Sequence, residues 1–302
     1  MLPFSRVTII GLGLIGSSIA RAVRLHMPTT RLTAYDADPA VRARVHELGI
    51  ADDVADTPGA AVTDADLVML CVPVGAMGAV ASAIADDLPA DAIVSDVGGS
   101  KTSVAAALRA ALPEAVIVPG HPVAGTEHCG PDSGFATLFQ GRWCILTPDA
   151  AAPAEAVARV RAFWERFGAN VETMSARHHD RVLAVTSHVP HLIAYTIVGT
   201  ASDLEQVTQS EIIKYSAGGF RDFTRIAASD PTMWRDVFLN NREAVLEILQ
   251  RFSEDLTALQ RAIRWGDGDT LFDLFSRTRK IRRGIIEQGQ DDARPDFGRA
   301  HG

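Results

Sequence analysis

Near the start of the chain, Gly11-Leu12-Gly13-Leu14-Ile15-Gly16 sets three glycines in the spacing that carries a strand sharply into a helix around an anion. The first glycine permits the tight turn and the second lets main chain approach a pyrophosphate. The third lets helix and strand pack closely, so that helix N-terminal amides face the charge. The pattern by itself is common. Asp36, twenty residues past Gly16 and at the end of the next apolar run, adds a carboxylate placed to accept hydrogen bonds from an adenosine ribose. The same carboxylate repels a 2′ phosphate, which predicts NAD in preference to NADP. Arg42 and Arg44 follow on a predicted helix and read as a solvated face.

Other residues able to do chemistry fall at the carboxyl ends of predicted strands, the edge where ligands of open α/β sheets sit. They are Val72 and Pro73, the stretch Asp96 to Lys101 with Ser100, and His121 in His121-Pro122-Val123-Ala124-Gly125-Thr126-Glu127. An imidazole is unprotonated near neutral pH and can take a proton as hydride leaves a carbinol carbon. Ser100 also suits the N-cap of the helix predicted after it.

These residues need a scaffold, and the apolar periodicity supplies one. Strands are predicted at Val7–Ile10, Arg31–Tyr35, Leu67–Val72, Ala92–Val97 and Val116–Val118, alternating with helices, with later strands at Trp143–Leu146 and Asn170–Met174. Strand and helix in turn mean βαβ units, and so a Rossmann-like, doubly wound parallel sheet over residues 1–174. After Met174 the pattern is helical, predicting an all-helical substrate and dimerisation domain over 175–288 and a flexible tail over 289–302. Its clearest segment opens at Ser229-Asp230-Pro231 and runs on through Trp234, Phe238, Val245, Leu249, Phe252, Leu256, Leu259 and Ile263. As one continuous helix this spans about 50 Å at ~1.5 Å per residue, more than its own domain needs, which predicts a homodimer.

Composition excludes several classes. Lys and Arg number 29 against 37 Asp and Glu, a net charge of −8, so no diffuse basic surface invites nucleic acid or an anionic membrane. Three cysteines without a CxxC pair argue against a disulfide framework or thiolate metal site and fit a reducing, cytoplasmic setting. The uncharged run Leu67–Ala85 is broken by Pro73, Gly75 and Gly78, so a strand and an Ala-rich helix account for it without a membrane. His188 and His191 stand three apart with His178 and His179 nearby, but Pro190 interrupts them and no acidic or Cys third ligand is suitably spaced, so no metal is expected. The basic run Arg277, Arg279, Lys280, Arg282 and Arg283 reads as a solvated helix face.

Five motifs together resemble prephenate dehydrogenases and the similar arogenate and cyclohexadienyl dehydrogenases. They are the glycine turn, Asp96 to Lys101, His121 to Glu127, Ser187-His188-Val189-Pro190-His191, and Gly218-Gly219-Phe220-Arg221-Asp222-Phe223-Thr224-Arg225. The resemblance spans about residues 5–288 and implies oxidative decarboxylation of prephenate with NAD, or of arogenate, in tyrosine biosynthesis. It implies His121 as catalytic base, Ser100 as its partner on the substrate hydroxyl, and Arg225 as the anchor of the ring carboxylate. His191 falls near the substrate side chain and a tyrosine inhibitor, Glu127 at the mouth of the site, and Arg221 at a second contact. Trp234 matches an aromatic near the pocket contributed by the partner subunit, although its place in the apolar series suits core packing equally. A β-hydroxyacid dehydrogenase would need a catalytic lysine, and Asp180–Asp203 has none. An NAD-responsive binding module would need the glycine turn but neither His121 nor Arg225.

Overall fold

The computed structural model describes residues 2–126, 128–205 and 218–287. Glu127 and the tail from 289 lie outside the described residues. The chain divides into two compact units, residues 1–246 and 247–302.

In the first unit, strands β1 (Arg6–Ile10), β2 (Arg31–Tyr35), β3 (Asp53–Val54), β4 (Leu67–Leu70), β5 (Ile93–Asp96) and β6 (Val116–Ile117) form one sheet in the order β3-β2-β1-β4-β5-β6. Every pairing is parallel. Helices α1 (Leu14–His26), α2 (Pro39–Leu48), α3 (Pro58–Val62), α4 (Met77–Ile84) and α5 (Thr102–Ala111) make the crossovers. Because helices cover both faces, the central strands are apolar on both. Val7, Ile9, Leu67 and Met69 enter one core, with Ile19 and Val23 of α1. Ile10, Val68 and Leu70 enter the other, with Met77, Ile84, Val104 and Leu108. The strand order reverses between β1 and β4, which opens the crevice at their carboxyl ends to a ligand.

The later strands do not extend this sheet. β7 (Gly120–Pro122), β8 (Trp143–Leu146) and β9 (Asn170–Thr173) form a separate three-stranded sheet in which β7 runs antiparallel to β8. Helix α6 (Ala154–Arg166) crosses between the parallel β8 and β9. β7 escapes periodicity because it holds three residues, one Gly and one Pro among them.

Helical structure follows as α7 (Ala176–Leu183), a π-helical turn (Ala184–His188), α8 (Val189–Glu205), α9 (Gly218–Thr224), a 3-10 turn (Arg225–Ala228) and α10 (Pro231–Asn240). Pro190 does not end a helix as expected. It falls in the first turn of α8, where a missing N–H is tolerated, and the π turn before it absorbs the change of register. The stretch Ala176–Leu204 is long and apolar enough to cross a membrane by length and composition. It nevertheless carries the buried polar residues His179, Asp180 and His188.

The single long helix is also corrected. Asp230 caps α10, its carboxylate accepting from the Met233 amide at 2.7 Å, but α10 stops at Asn240 and α11 (Arg242–Trp265) begins anew. The break falls at Asn241, whose side chain turns inward to bond two buried partners, and a polar residue so engaged cannot continue the apolar stripe. The described part of the second unit comprises α11 from Glu247 and α12 (Gly268–Glu287). Its apolar residues Leu256, Ile263, Trp265, Phe272 and Phe275 are exposed, as are Arg277, Arg279, Lys280, Arg282 and Arg283 along α12.

Candidate active site

The glycine turn has the shape its spacing predicts. Gly11 adopts φ +96°, a left-handed conformation that disfavours any side chain. A Cβ there would stand 2.5 Å from the Cys71 carbonyl oxygen, and one at Gly16 would stand 1.9 Å from the Gly11 carbonyl oxygen. At Gly13 a Cβ would meet nothing within 4 Å, so this glycine borders space that protein does not fill. Gly13 begins α1 without a side-chain cap, and Leu14 and Ile15 form the first turn at the open end. Val72 borders the turn from the end of β4, its side chain reaching 3.0 Å from a Cβ built at Gly11, and Pro73 follows it.

Asp36 closes the far side. One carboxylate oxygen accepts from the Leu12 amide at 2.8 Å and the other from the Asp38 amide at 3.0 Å. Each oxygen keeps a lone pair for a ribose hydroxyl. Arg42 and Arg44 are engaged rather than simply solvated. Arg42 donates to the Asp36 carbonyl at 2.8 Å, while Arg44 reaches Asp132 at 2.6 Å and Glu47 at 2.8 Å. Both guanidinium groups are thus committed within the protein, and the cradle fits a dinucleotide without a 2′ phosphate.

The chemistry centres on His121 in β7. Its Nδ1 lies 2.8 Å from Nε2 of His179, and His179 Nδ1 lies 2.9 Å from Asp180 Oδ1. A carboxylate only accepts, so His179 carries its proton on Nδ1 and a lone pair on Nε2. That lone pair receives the Nδ1 proton of His121, which leaves His121 Nε2 as a free base. Asp180 is held in turn by main-chain amides at the start of α5, accepting from Lys101 at 2.7 Å and Thr102 at 2.9 Å. Burial pulls His121 well below the ordinary imidazole range, with His179, Lys101 and His188 adding to the effect. Burial also lowers His179, against the opposing pull of Asp180. For Asp180 burial acts upward, but the bonds from His179, Thr102 and Lys101 prevail and hold the carboxyl low. The trio is neutral imidazole, neutral imidazole, carboxylate at neutral pH.

A second buried group backs the first. Asn241 donates to the Asp180 carbonyl at 2.8 Å and meets His188 Nδ1 at 3.1 Å, while His188 is hydrogen-bonded to the main chain of Gly99. Desolvation pushes His188 down to about 4. His188 and Asn241 thereby tie the helical segments to the turn that carries Ser100.

The remaining predicted residues are placed as follows. Ser100 is fully buried and donates to the Val237 carbonyl at 3.5 Å rather than to His121, whose partner is His179. His191 donates from Nδ1 to the Ser187 carbonyl at 2.8 Å and stacks on Trp234 with ring centroids 3.7 Å apart. Burial lowers its pKa, and nearby Arg225 acts the same way. Trp234 is buried within its own chain, against His191 and Phe238, with its indole N–H unpartnered among the described residues. Arg225 opens the 3-10 turn and is exposed, and Arg221 is exposed beside Asp222 at 3.7 Å. Sequence reasoning missed His179, Asp180, His188 and Asn241 as parts of the site. The available signals were adjacent His and Asp on a buried helix face and the polar gap in the apolar series at Asn240-Asn241.

A doubly wound sheet with a dinucleotide cradle, and a relay-backed imidazole on β7, held against the carboxyl end of β5, defines a dinucleotide-dependent dehydrogenase. Residues 19–173 match the model of the prephenate dehydrogenase nucleotide-binding domain and residues 175–277 that of the prephenate dehydrogenase dimerization domain. The chain is 48% identical to the cyclohexadienyl dehydrogenase of Zymomonas mobilis, over 98% of this chain and all of that one. It is 31% identical to the prephenate dehydrogenase of Bacillus subtilis, over 92% of this chain and 76% of that one. A crystal structure of the prephenate dehydrogenase of Aquifex aeolicus, in complex with hydroxyphenyl propionate and NAD+, superposes with a TM-score of 0.87 at 35% identity, covering 93% of this chain and 98% of that one. The chain belongs to the prephenate dehydrogenase family and is an NAD-dependent oxidoreductase.

Proposed function

We propose that this protein oxidises prephenate to 4-hydroxyphenylpyruvate and carbon dioxide, with NAD reduced, as a cytoplasmic homodimeric enzyme of tyrosine biosynthesis. The observation that carries the mechanism is the His121–His179–Asp180 relay, which leaves a lone pair on His121 Nε2. Gly11, Gly13, Leu14, Ile15, Gly16, Asp36, Val72 and Pro73 would hold NAD, which when bound supplies the hydride acceptor. His121 takes the proton of the substrate 4-hydroxyl as hydride leaves C4. The bond from the ring to its carboxylate then breaks, and its electron pair aromatises the ring and moves onto the C4 oxygen. That oxygen recovers the proton from His121, so no net proton is released, and aromatisation makes the step irreversible.

The family resemblance assigns Ser100 to the substrate hydroxyl, Arg225 to the ring carboxylate with Arg221 as a second contact, His191 to the side chain and Glu127, outside the described residues, to the mouth of the site. Tyrosine, sharing the product's ring, competes there. The nucleotide-binding role belongs to residues 1–174 and the substrate and dimerisation role to 175–288. The exposed apolar residues of α11 and α12 support a dimer. A second reading, use of arogenate as well, is supported by the 48% identical relative named a cyclohexadienyl dehydrogenase.

The test is NADH formation from NAD with prephenate and with arogenate, in wild type and in His121→Asn. Turnover of either substrate is expected. The variant should lose roughly 10² or more in kcat with NAD affinity kept, the usual scale of general-base help. No NADH from either substrate, or a fully active variant, overturns the reading.

A further inference from the structure

A buried ion pair lies directly behind His121. The Asp96 carboxylate at the end of β5 accepts from the Gly98 amide at 2.8 Å and the Gly120 amide at 3.3 Å. Lys101 Nζ donates to Asp96 and, at 2.7 Å, to the Gly120 carbonyl. Both side chains are completely buried. Gly120 immediately precedes His121, so its amide is held by the anion and its carbonyl by the cation. It is also where the chain passes from the first sheet to the second, and a Cβ on it would stand 3.2 Å from the Asp96 carbonyl oxygen.

Two neutral side chains could grip one peptide at far lower desolvation cost, since removing both charges from water is expensive even when they meet. The charges therefore invite an electrostatic role. His121 is faced by His179 and Asp180 of α7, His188 of the π turn, Lys101 and Asp96 around the end of β5, and Cys144 of β8, whose thiol meets the His121 main chain. Asp180 acts through His179, and Asp96 is matched by Lys101 and two amides. Among the described residues, the fixed cation that acts on the base is Lys101, bonded to the carbonyl of the peptide that joins Gly120 to His121, and it opposes an imidazolium there.

We propose that Lys101 and Asp96 are positioning residues for the base, a charged clamp on Gly120 that aims His121 and in which the Lys101 ammonium adds to burial in keeping the base unprotonated as the solution is acidified. This rests on His121 being the base. Without the cation the imidazole would accept a proton at higher pH and lose its lone pair sooner as the solution is acidified.

The test is the pH profile of kcat/KM in Asp96→Asn/Lys101→Gln, an uncharged pair that can keep the bonds made through Oδ2 and gives up the longer one from the Gly120 amide, and in Lys101→Gln alone. In the single variant Asp96 keeps its amide partners while the cation is gone. The acid limb is expected to rise by half a pH unit or more in the double variant, about threefold in rate at a pH on the limb, and further in the single variant. NAD affinity should stay within about threefold of wild type. Folded variants with an unmoved limb overturn the proposal. If neither variant folds, NMR titration of the His121 ring in the wild-type protein decides, and protonation in the ordinary imidazole range overturns it. His121→Asn separates the two readings. An acid limb that persists in that variant defeats the base assignment, whereas a limb erased there but unmoved in both clamp variants defeats only the clamp.

Discussion

Asp180→Asn changes one atom of the relay and removes the charge that supports it. The carboxylate accepts from three donors, His179 Nδ1 at 2.9 Å and the amides of Lys101 at 2.7 Å and Thr102 at 2.9 Å. An amide has one acceptor oxygen. Oδ1 serves both His179 and the Lys101 amide and Oδ2 serves Thr102, so the Asn oxygen in the Oδ1 place sets its NH2 against the Thr102 N–H. In the Oδ2 place it sets its NH2 against the Lys101 N–H and His179, moving the His179 proton to Nε2. In the first placement the tautomers stand, but the carboxylate charge that supports a protonated relay is gone. In the second the His121 proton ends on Nε2, where the lone pair was needed. The same wrong-tautomer effect costs about 10⁴ in kcat in the serine-protease triad, and general-base help is worth roughly 10² to 10⁴. A fall of two to four decades in kcat is expected, about 3 to 5 kcal/mol on the barrier. Stability should fall by about 2 kcal/mol for the one α5 amide left without its charged acceptor. His179→Phe leaves both α5 amides on Asp180 and should lose kcat on the same scale at a smaller stability cost, which separates catalysis from helix capping. NADH absorbance gives kcat, calorimetry gives NAD affinity and thermal melting gives stability. Asp180→Asn turning over within about threefold of wild type would refute the relay, because general-base help is far larger than that.

Three further outcomes are expected. Arg225→Ala should raise KM for prephenate by about 2 kcal/mol, roughly thirtyfold, with kcat little changed, and steady-state kinetics showing a fall in kcat alone would remove Arg225 from carboxylate binding. His188 is held near 4 by burial, so the unfolded chain binds the extra proton first as pH drops. Its contribution to stability is full above about pH 6.5 and declines toward pH 4 by about 3 kcal/mol, so His188→Gln should flatten the urea-unfolding profile across that window. Leu256→Glu, at a site 45% exposed, should cost dimerisation and activity together, and light scattering that finds an active monomer in the wild type would contradict the dimer.

Much of the nucleotide cradle could be read locally. Three glycines, an apolar strand before them and Asp36 after the next strand are neighbours in sequence and in space, because a βαβ unit is a local structure. The parallel sheet followed for the same reason, since continuous apolar runs alternating with helices admit few arrangements. His121 could be found as a candidate because it follows the apolar run Val116–Val118 toward the ligand edge. Its chemistry could not. His179 lies 58 residues away, and the His-Asp pair looks like any polar step on a helix until α7 packs beside α5. The helix break at Asn241 was equally hidden, because periodicity records which residues are apolar but not which polar side chain will find a buried partner. The clamp on Gly120 depends on two sheets meeting at one peptide. Sequence determined which residues can bind a phosphate, take a proton or pair with a carboxylate. Tertiary structure decided which nitrogen holds the lone pair, because tautomer and charge are set by neighbours that only packing brings within hydrogen-bond distance.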